Sequence, residues 1–105
     1  MDIPMNNNVI FDFCQIRDLE DFYCQFQQKL SLPSWFGHNL DALWDMISGE
    51  IELPMTIIFS HLSLAQQHQF AEIIDLMNEA EDELEGRFIF LLDIPESWNS
   101  VVYLF

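Results

Sequence analysis

Three short apolar runs restrict the fold of this chain more than any other feature. They lie at residues 9–13, 55–59 and 87–92, and each is rich in β-branched or aromatic residues, which favours β-strands. Residues with helical spacing fill the intervals between them. Strands joined through helices pair in parallel, because a parallel pair needs a long crossover connection. The sequence therefore predicts an α/β fold in the order β-α-α-β-α-β, a small three-stranded parallel sheet with packed helices.

Two of the predicted helices have clear start signals. Asp18 is a suitable N-cap for a helix that runs through Lys29, and Asn39 is a suitable N-cap for a helix over residues 40–48. Gly49 follows the second helix at the position where glycine commonly ends one. Both helices therefore lie between the first and second strands.

A third helical pattern lies between the second and third strands. It covers residues 61–86, and Gly86 is expected to end it. Leu62 and Leu64 are expected to belong to a short separate helix or turn that precedes the main helix. This arrangement supplies the second crossover connection of the sheet.

The length and hydrophobic content indicate a single folded domain. The chain has 105 residues, of which 50% are hydrophobic, so a small core can form. We expect one domain over residues 1–105, with a loose lead-in at 1–8. Residues 93–105 are expected to form a C-terminal extension, either an extra edge strand or a docked tail.

Acidic residues far outnumber basic ones. There are 18 acidic and 3 basic residues, which give a formal net charge of −15. Between Lys29 and Arg87 there are eleven acidic residues and no basic one. Such a chain repels nucleic acid phosphates, which excludes nucleic acid as a direct ligand, whereas its field accelerates the approach of a strongly basic partner.

Two cysteines and the chain ends bear on localisation. Cys14 and Cys24 lack the spacing of a CxxC motif, and they are expected to be free, partly buried thiols in a reducing compartment. The first residues, MDIPMNNN, do not resemble a signal peptide, and no apolar run reaches the roughly 18 residues of a membrane span. These features predict a cytoplasmic protein with no membrane partner.

The sequence offers little support for a metal centre or an active site. Of the three histidines, only His61 and His68 could share a helical surface, and no zinc set of recognisable spacing includes them. Asp12 and Asp93 follow strands at the edge where α/β enzymes place their sites, and His38 could join them. A glycine-rich phosphate loop and a nucleophile elbow are both missing from the sequence. We therefore expect no catalytic residues, no metal and no cofactor.

Two aspartates occupy an unusual position on the helix at residues 40–48. Asp41 and Asp45 lie one turn apart, rotated about 120° from the apolar face at 100° per residue. That apolar face comprises Leu40, Leu43, Trp44 and Ile47. Asp45 lies in the last turn, where the helix dipole favours a cation, so helix stability does not explain it. The two carboxylates face either solvent alone or a partner.

The end of the third helix carries a similar excess of negative charge. Glu81 and Glu85 are four residues apart, where like charges repel each other, and both oppose the helix dipole. A charge run is usually a solvated face. A basic partner would make the same run favourable, so both interpretations stay open from these residues alone.

The segment LPSWFGHNLDALWDMISGEIELP resembles the signature of the barstar family, intracellular inhibitors of guanyl-preferring ribonucleases of the barnase type. Its core, G-x-N-L-D-A-L-W-D, is present as Gly37, Asn39, Leu40, Asp41, Ala42, Leu43, Trp44 and Asp45. A weaker resemblance covers residues 9–92. It implies a small three-stranded parallel sheet with packed helices, and a protein that blocks a ribonuclease active site.

The resemblance also implies roles for individual residues. Asp45 matches the aspartate that occupies an RNA phosphate position in the nuclease, and Asp41 matches an aspartate that pairs with an arginine. Trp35 and Phe36 match two tyrosines that pack on the nuclease. The implied partner-binding surface comprises Trp35, Phe36, Gly37, Asn39, Leu40, Asp41, Ala42, Trp44, Asp45, Ser48, Gly49, Glu81 and Glu85.

Several positions depart from the family pattern. Trp35 and Phe36 lack the phenolic hydroxyls, Ser48 stands in place of threonine, Glu50 in place of an interface tryptophan, and His38 in place of an acidic residue. The resemblance thus implies a 1:1 inhibitor of a basic ribonuclease or similar basic toxin, with an altered rim. The alternative is a barstar-fold acidic module that binds a different basic protein and inhibits no nuclease.

Overall fold

The computed structural model describes residues 7–93, which form three strands and four α-helices with two short connecting turns. In chain order the elements are β1 (Asn7–Asp12), a 3-10 turn (Phe13–Gln15), α1 (Leu19–Lys29), α2 (Leu40–Asp45), a π-helical turn (Met46–Glu50), β2 (Met55–Ser60), α3 (Leu64–Gln69), α4 (Ala71–Glu83) and β3 (Phe88–Asp93).

The strands form one parallel sheet in the order β1-β2-β3, which confirms the predicted architecture. The central strand β2 pairs with both neighbours, so Ile57 lies between Val9 and Phe90. Met55, Thr56, Ile57 and Phe59 of β2 are all buried, as expected for a strand covered on both sides. Because the strands are parallel, their carboxyl ends meet at one edge of the sheet.

Aromatic packing holds the helices on this sheet. Ring centroids of Phe11 and Phe22 lie 5.1 Å apart, and those of Phe13 and Phe59 lie 4.7 Å apart, both in tilted arrangements. Each distance falls within the range that favours aromatic pairs. The most deeply buried phenylalanines are Phe11, Phe13, Phe22, Phe26, Phe59, Phe70 and Phe88. They connect all three strands to α1 and to the junction between α3 and α4.

Helix α1 agrees with the prediction at both ends. It covers Leu19–Lys29, and the Asp18 side chain accepts a hydrogen bond from the Asp21 backbone N–H. Strand β1 begins earlier than predicted, since Asn7 and Asn8 belong to it rather than to a loose lead-in. It ends at Asp12 because that carboxylate accepts a hydrogen bond from the Cys14 N–H and turns the chain.

The third helical pattern was predicted as a main helix preceded by a short separate helix or turn, and the structure has the short helix α3 before the longer α4. Ser63 and Gln66 form a capping box that starts α3 at Leu64. The fully buried Phe70 then interrupts the helix, and α4 follows over Ala71–Glu83. Phe70 packs in the aromatic core at this break, with its ring centroid 5.0 Å from that of Phe13. Residues 94–105, where the sequence predicts an edge strand or docked tail, lie outside the described residues.

The end of the second helix also differs from the prediction. The α-helical part stops at Asp45, and a π-helical turn continues to Glu50. The Ile51 N–H donates to the Met46 carbonyl at 2.9 Å, a bond across five residues. Gly49 therefore lies within the turn and does not end the helix. The wider turn keeps both Met46 and Ile47 in the core.

Candidate partner-binding site

Helix α2 is anchored by its apolar face and capped at its start. Leu43 and Ile47 are fully buried, the latter in the π-helical turn. The Asn39 side chain accepts a hydrogen bond from the Ala42 N–H at 2.8 Å. Gly37 leaves room for this cap, since a Cβ there would lie 3.0 Å from Nδ2 of Asn39. The start and the rotation of α2 are therefore both fixed.

This anchoring leaves Asp41 and Asp45 exposed, as the helical wheel predicts. Within residues 7–93, neither carboxylate takes part in an ion pair or accepts a side-chain or capping hydrogen bond. Asp45 is the last residue of α2, and the negative end of the helix dipole there is unfavourable for its carboxylate. Both carboxylates are thus available to a positively charged group from outside the described chain.

An acidic groove lies between α2 and α4. Its volume is about 300 Å³. The lining residues are Leu40, Asp41, Trp44, Glu72, Asp75, Leu76 and Glu79. Glu72, Asp75 and Glu79 were missed at the sequence level, although their i, i+3, i+7 spacing places them on one helix face. The predicted residues Glu81 and Glu85 do not line this groove; Glu81 is half-buried at the end of α4, and Glu85 is exposed beyond it.

The loop before α2 separates two aromatic residues that were expected to act together. Trp35 is 70% exposed, whereas Phe36 is only 4% exposed. The Phe36 ring packs on the rings of Phe26 and Tyr23, with centroids 5.9 Å and 6.3 Å away. The Phe36 ring therefore completes the core, and its contact with a partner stays a prediction. Trp35 alone forms the exposed aromatic surface of the loop.

The remaining predicted contact residues lie on or next to α2. Leu40, Ala42 and Trp44 are half-buried, and Ser48 and Gly49 are exposed in the π-helical turn. The Ser48 hydroxyl donates to the Trp44 carbonyl at 2.7 Å and so is already used within the helix. These positions extend the exposed surface from Asp45 toward Glu50 without adding a basic group.

Hydrogen bonds connect the same loop to α1. His38 Nδ1 lies 2.7 Å from Glu20 Oε2, and His38 Nε2 lies 3.1 Å from Gln27 Oε1. Nε2 of Gln27 also donates to the Pro33 carbonyl at 2.9 Å. The His38 ring stacks on Tyr23 with centroids 5.7 Å apart and an interplanar angle of 12°. None of these partners was predicted for His38, because they come from another element.

Among residues 7–93, two mixed clusters contain the residue types that ligate metals. Asp12, Cys14 and His61 form one, and Glu20, Cys24 and His38 form the other, each with ligand atoms within 4.8 Å of one another. Neither cluster was predicted from the sequence, because each draws on separate elements. Both cysteines are exposed rather than partly buried. In each cluster the histidine Nδ1 already contacts the carboxylate.

The carboxyl edge of the sheet does not assemble the predicted catalytic candidates. Asp12 lies 3.0 Å from Nδ1 of His61, not near His38, and Ser60 Oγ lies 3.5 Å from Oδ2 of Asp93. The hydrogen bond from His61 lowers the pKa of Asp12, and the bond from the Cys14 N–H adds to this effect. His38 is instead held by α1. His38 therefore contacts neither Asp12 nor Asp93 through its ring nitrogens, although an active site here would have to combine the three.

Comparison with known proteins agrees with the fold. The family model described as Barstar (barnase inhibitor) matches residues 6–93. This chain belongs to the barstar family. A relative from Bacillus subtilis (strain 168) is 27% identical over 88 residues, which cover 81% of this chain and 97% of the relative. That relative is named "Putative ribonuclease inhibitor YrdF". No helix in residues 7–93 has the length and apolar character to span a membrane.

Proposed function

We propose that this barstar-family protein is a non-catalytic ribonuclease inhibitor that blocks the active site of a basic ribonuclease. One observation carries the proposal: Asp41 and Asp45 are exposed and have no ion-pair partner within residues 7–93, on a helix whose opposite face is rigidly buried. A ribonuclease binds RNA phosphates with arginine, lysine and histidine. Carboxylates placed at phosphate positions form the same charge-assisted hydrogen bonds.

The surroundings of the two aspartates support a basic partner. Glu72, Asp75 and Glu79 line the adjacent groove, so negative charge extends from α2 to α4. This field raises the association rate with a cationic protein. Trp35 adds an exposed aromatic side chain in the loop before α2, a residue type that commonly anchors interfaces. We expect one partner molecule to bind each inhibitor molecule, in a 1:1 complex.

The positions of Phe36 and Glu50, at the rim of the proposed binding surface, indicate that the nuclease differs from the usual family target. Phe36 is buried and Glu50 is exposed, so one aromatic contact and one interface tryptophan are replaced. Specificity between related partners depends on such rim groups, because an unmatched charge there is repulsive. We therefore expect the natural target to present a cationic group opposite Glu50.

The proposal is tested by calorimetry and ribonuclease inhibition with a barnase-type enzyme, comparing the wild type with Asp45→Ala. Truncating one partner of a buried charge pair costs about 2–5 kcal/mol, a range for which the barnase–barstar complex is itself a reference case. We expect 1:1 binding that Asp45→Ala weakens at least about thirtyfold. Glu52→Gln is the matched control, because it removes one exposed carboxylate outside α2.

Two results would decide against the proposal. Equal effects of Asp45→Ala and Glu52→Gln would show that only overall charge matters and that α2 does not mimic phosphate. Lack of binding to any basic ribonuclease at low salt would favour the alternative acidic module, whose partner is a basic protein without ribonuclease activity.

A further inference from the structure

His38 occupies a position that controls the loop leading into α2. It lies between Gly37 and the N-cap Asn39, and its side chain is 25% exposed. Both of its ring nitrogens contact side chains of α1, namely Glu20 and Gln27. The loop carrying the exposed Trp35 is therefore attached to α1 through His38.

The orientation of the Gln27 amide determines which ring nitrogens of His38 must donate a hydrogen bond. The amide atom that contacts the Pro33 carbonyl must be the NH2 group, because a carbonyl oxygen only accepts. The amide oxygen of Gln27 is therefore the atom that faces Nε2 of His38, at 3.1 Å. On the other side of the ring, Nδ1 faces the carboxylate of Glu20 at 2.7 Å. Both ring nitrogens thus face acceptors.

Only a protonated imidazole satisfies this arrangement. A neutral ring has a single N–H, so one of the two contacts would bring two acceptors together. The imidazolium donates from both nitrogens, and its charge strengthens the bond to Glu20. The parallel ring of Tyr23 stacks on its face, an arrangement that also favours a cation.

We propose that protonated His38 is a positioning residue that, with Glu20 and Gln27, holds the loop carrying Trp35 and Asn39 in its partner-binding conformation. Binding then weakens as the pH rises and His38 loses its proton. This inference rests on the proposed inhibitor function. His38 touches no reacting group; it acts through the loop.

The sign of the effect follows from the groups that face His38. The carboxylates Asp41 and Glu72 line the same groove as Glu20 and His38. Burial raises the pKa of Tyr23, and the charge of Glu72 raises it further, so the phenol stays neutral. The pKa of the Cys24 thiol is raised as well. Histidine is the side-chain type that commonly changes charge between pH 5 and 8, which is why the test below compares affinities across that range.

The test compares the affinity of the wild type and His38→Gln for a barnase-type ribonuclease at pH 5.5 and 8.5, at constant ionic strength. The nuclease has its own titrating groups, so the readout is the ratio of the two dissociation constants at each pH. At pH 5.5 we expect the wild type to bind at least about fivefold more tightly than His38→Gln, because the variant loses a charge-assisted hydrogen bond. At pH 8.5 we expect the ratio of the two dissociation constants to approach one.

Three further variants separate positioning from simple folding effects. His38→Lys keeps a cation at this position, so it should bind more tightly than His38→Gln at pH 8.5 and with less pH dependence than the wild type. His61→Gln and His68→Gln remove histidines from other parts of the chain and should leave the affinity ratio unchanged. A ratio for His38→Gln that does not vary with pH would overturn the proposal.

A measurement without the nuclease keeps the two proposals distinguishable. Nitrogen NMR of His38 should show both ring nitrogens protonated at pH 5.5, and the backbone amides of Gly37 and Asn39 should shift as the ring titrates. If these amides do not follow the ring, the positioning role is wrong even when the inhibitor binds. If they do follow it and no nuclease binds, the proposed function fails while the coupling of His38 to the loop stands.

Discussion

A single side chain, Asn39, starts the helix on which the proposed site depends. Its Oδ1 accepts the Ala42 N–H at 2.8 Å, and no apolar contact replaces that bond when the side chain is removed. We expect Asn39→Ala to lower the free energy of unfolding by about 1 kcal/mol, measured by urea denaturation. Asn39→Asp keeps an acceptor at the cap and should retain most of the stability. Equal losses in the two variants would contradict the assigned cap.

Cys24 offers a second test at this scale, through its chemical reactivity. Partial desolvation raises the pKa of its thiol, and the nearby carboxylate of Glu20 adds to the shift. Because the thiolate is the reactive form, a raised pKa slows modification near neutral pH. In a Cys14→Ser background, Glu20→Gln should therefore accelerate the reaction of Cys24 with a thiol reagent at pH 8.

The matched control for this reactivity measurement is Glu79→Gln, which removes a carboxylate of α4 rather than of α1. It should leave the rate unchanged. A rate that rises equally in both variants would show that total charge, rather than the contact between Glu20 and Cys24, governs the thiol.

Much of the site follows from residues near each other in the chain. The exposure of Asp41 and Asp45 comes directly from helical geometry, and the resemblance pointed to the same pair. The burial of Phe36 was missed, because the choice between two adjacent aromatics depends on α1, which supplies Phe26 and Tyr23. The contacts of His38 were missed for the same reason.

At the scale of elements, two glycines behave differently in spite of similar surroundings. A Cβ added at Gly49 or at Gly86 would meet no atom within 4 Å, yet only Gly86 has a positive φ, of 88°. Gly86→Ala should therefore destabilise the fold by about 1 kcal/mol or more, because alanine is strained there. Gly49→Ala should be neutral or stabilise by up to about 1 kcal/mol, since it reduces the freedom of the unfolded chain.

Thermal and urea unfolding of the two glycine variants provide the comparison. Each variant serves as the control for the other, because both add one methyl group to an open site. Similar stabilities would show that backbone conformation does not separate the two positions.

The elements themselves were predicted with uneven success, for physical reasons. Helix α1 and the three strands have strong local signals, so their existence and order were correct. The short helix before α4 was expected, but the position of the break at Phe70 was not located, because its neighbours continue the helical spacing on both sides. The π-helical turn over Met46–Glu50 was missed because burial of both Met46 and Ile47 depends on the sheet, which local spacing does not report.

At the scale of the whole molecule, net charge should affect folding and binding in opposite directions. The formal charge of −15 is self-repulsive, and salt screens it over a distance that falls from about 30 Å at 0.01 M to about 10 Å at 0.1 M. Added sodium chloride should therefore raise the melting temperature of the free protein while it slows association with a basic ribonuclease.

Calorimetry of the free protein and stopped-flow association at several salt concentrations measure the two responses. The dissociation rate should change less than the association rate, because steering acts before contact. An association rate that is independent of salt would show that the acidic surface does not guide the encounter.

The position of β2 at the centre of the sheet determines when a newly made chain can fold. Its last partner, β3, supplies the buried Phe88 and Phe90, and it is synthesised long after α2. Small domains fold as units, so a nascent chain that stops at α4 lacks one side of its sheet. We expect ribosome-bound chains of increasing length to bind a nuclease only after β3 emerges. Under the proposed function, only completed chains would then be able to occupy a nuclease, however early in translation the aspartates are made.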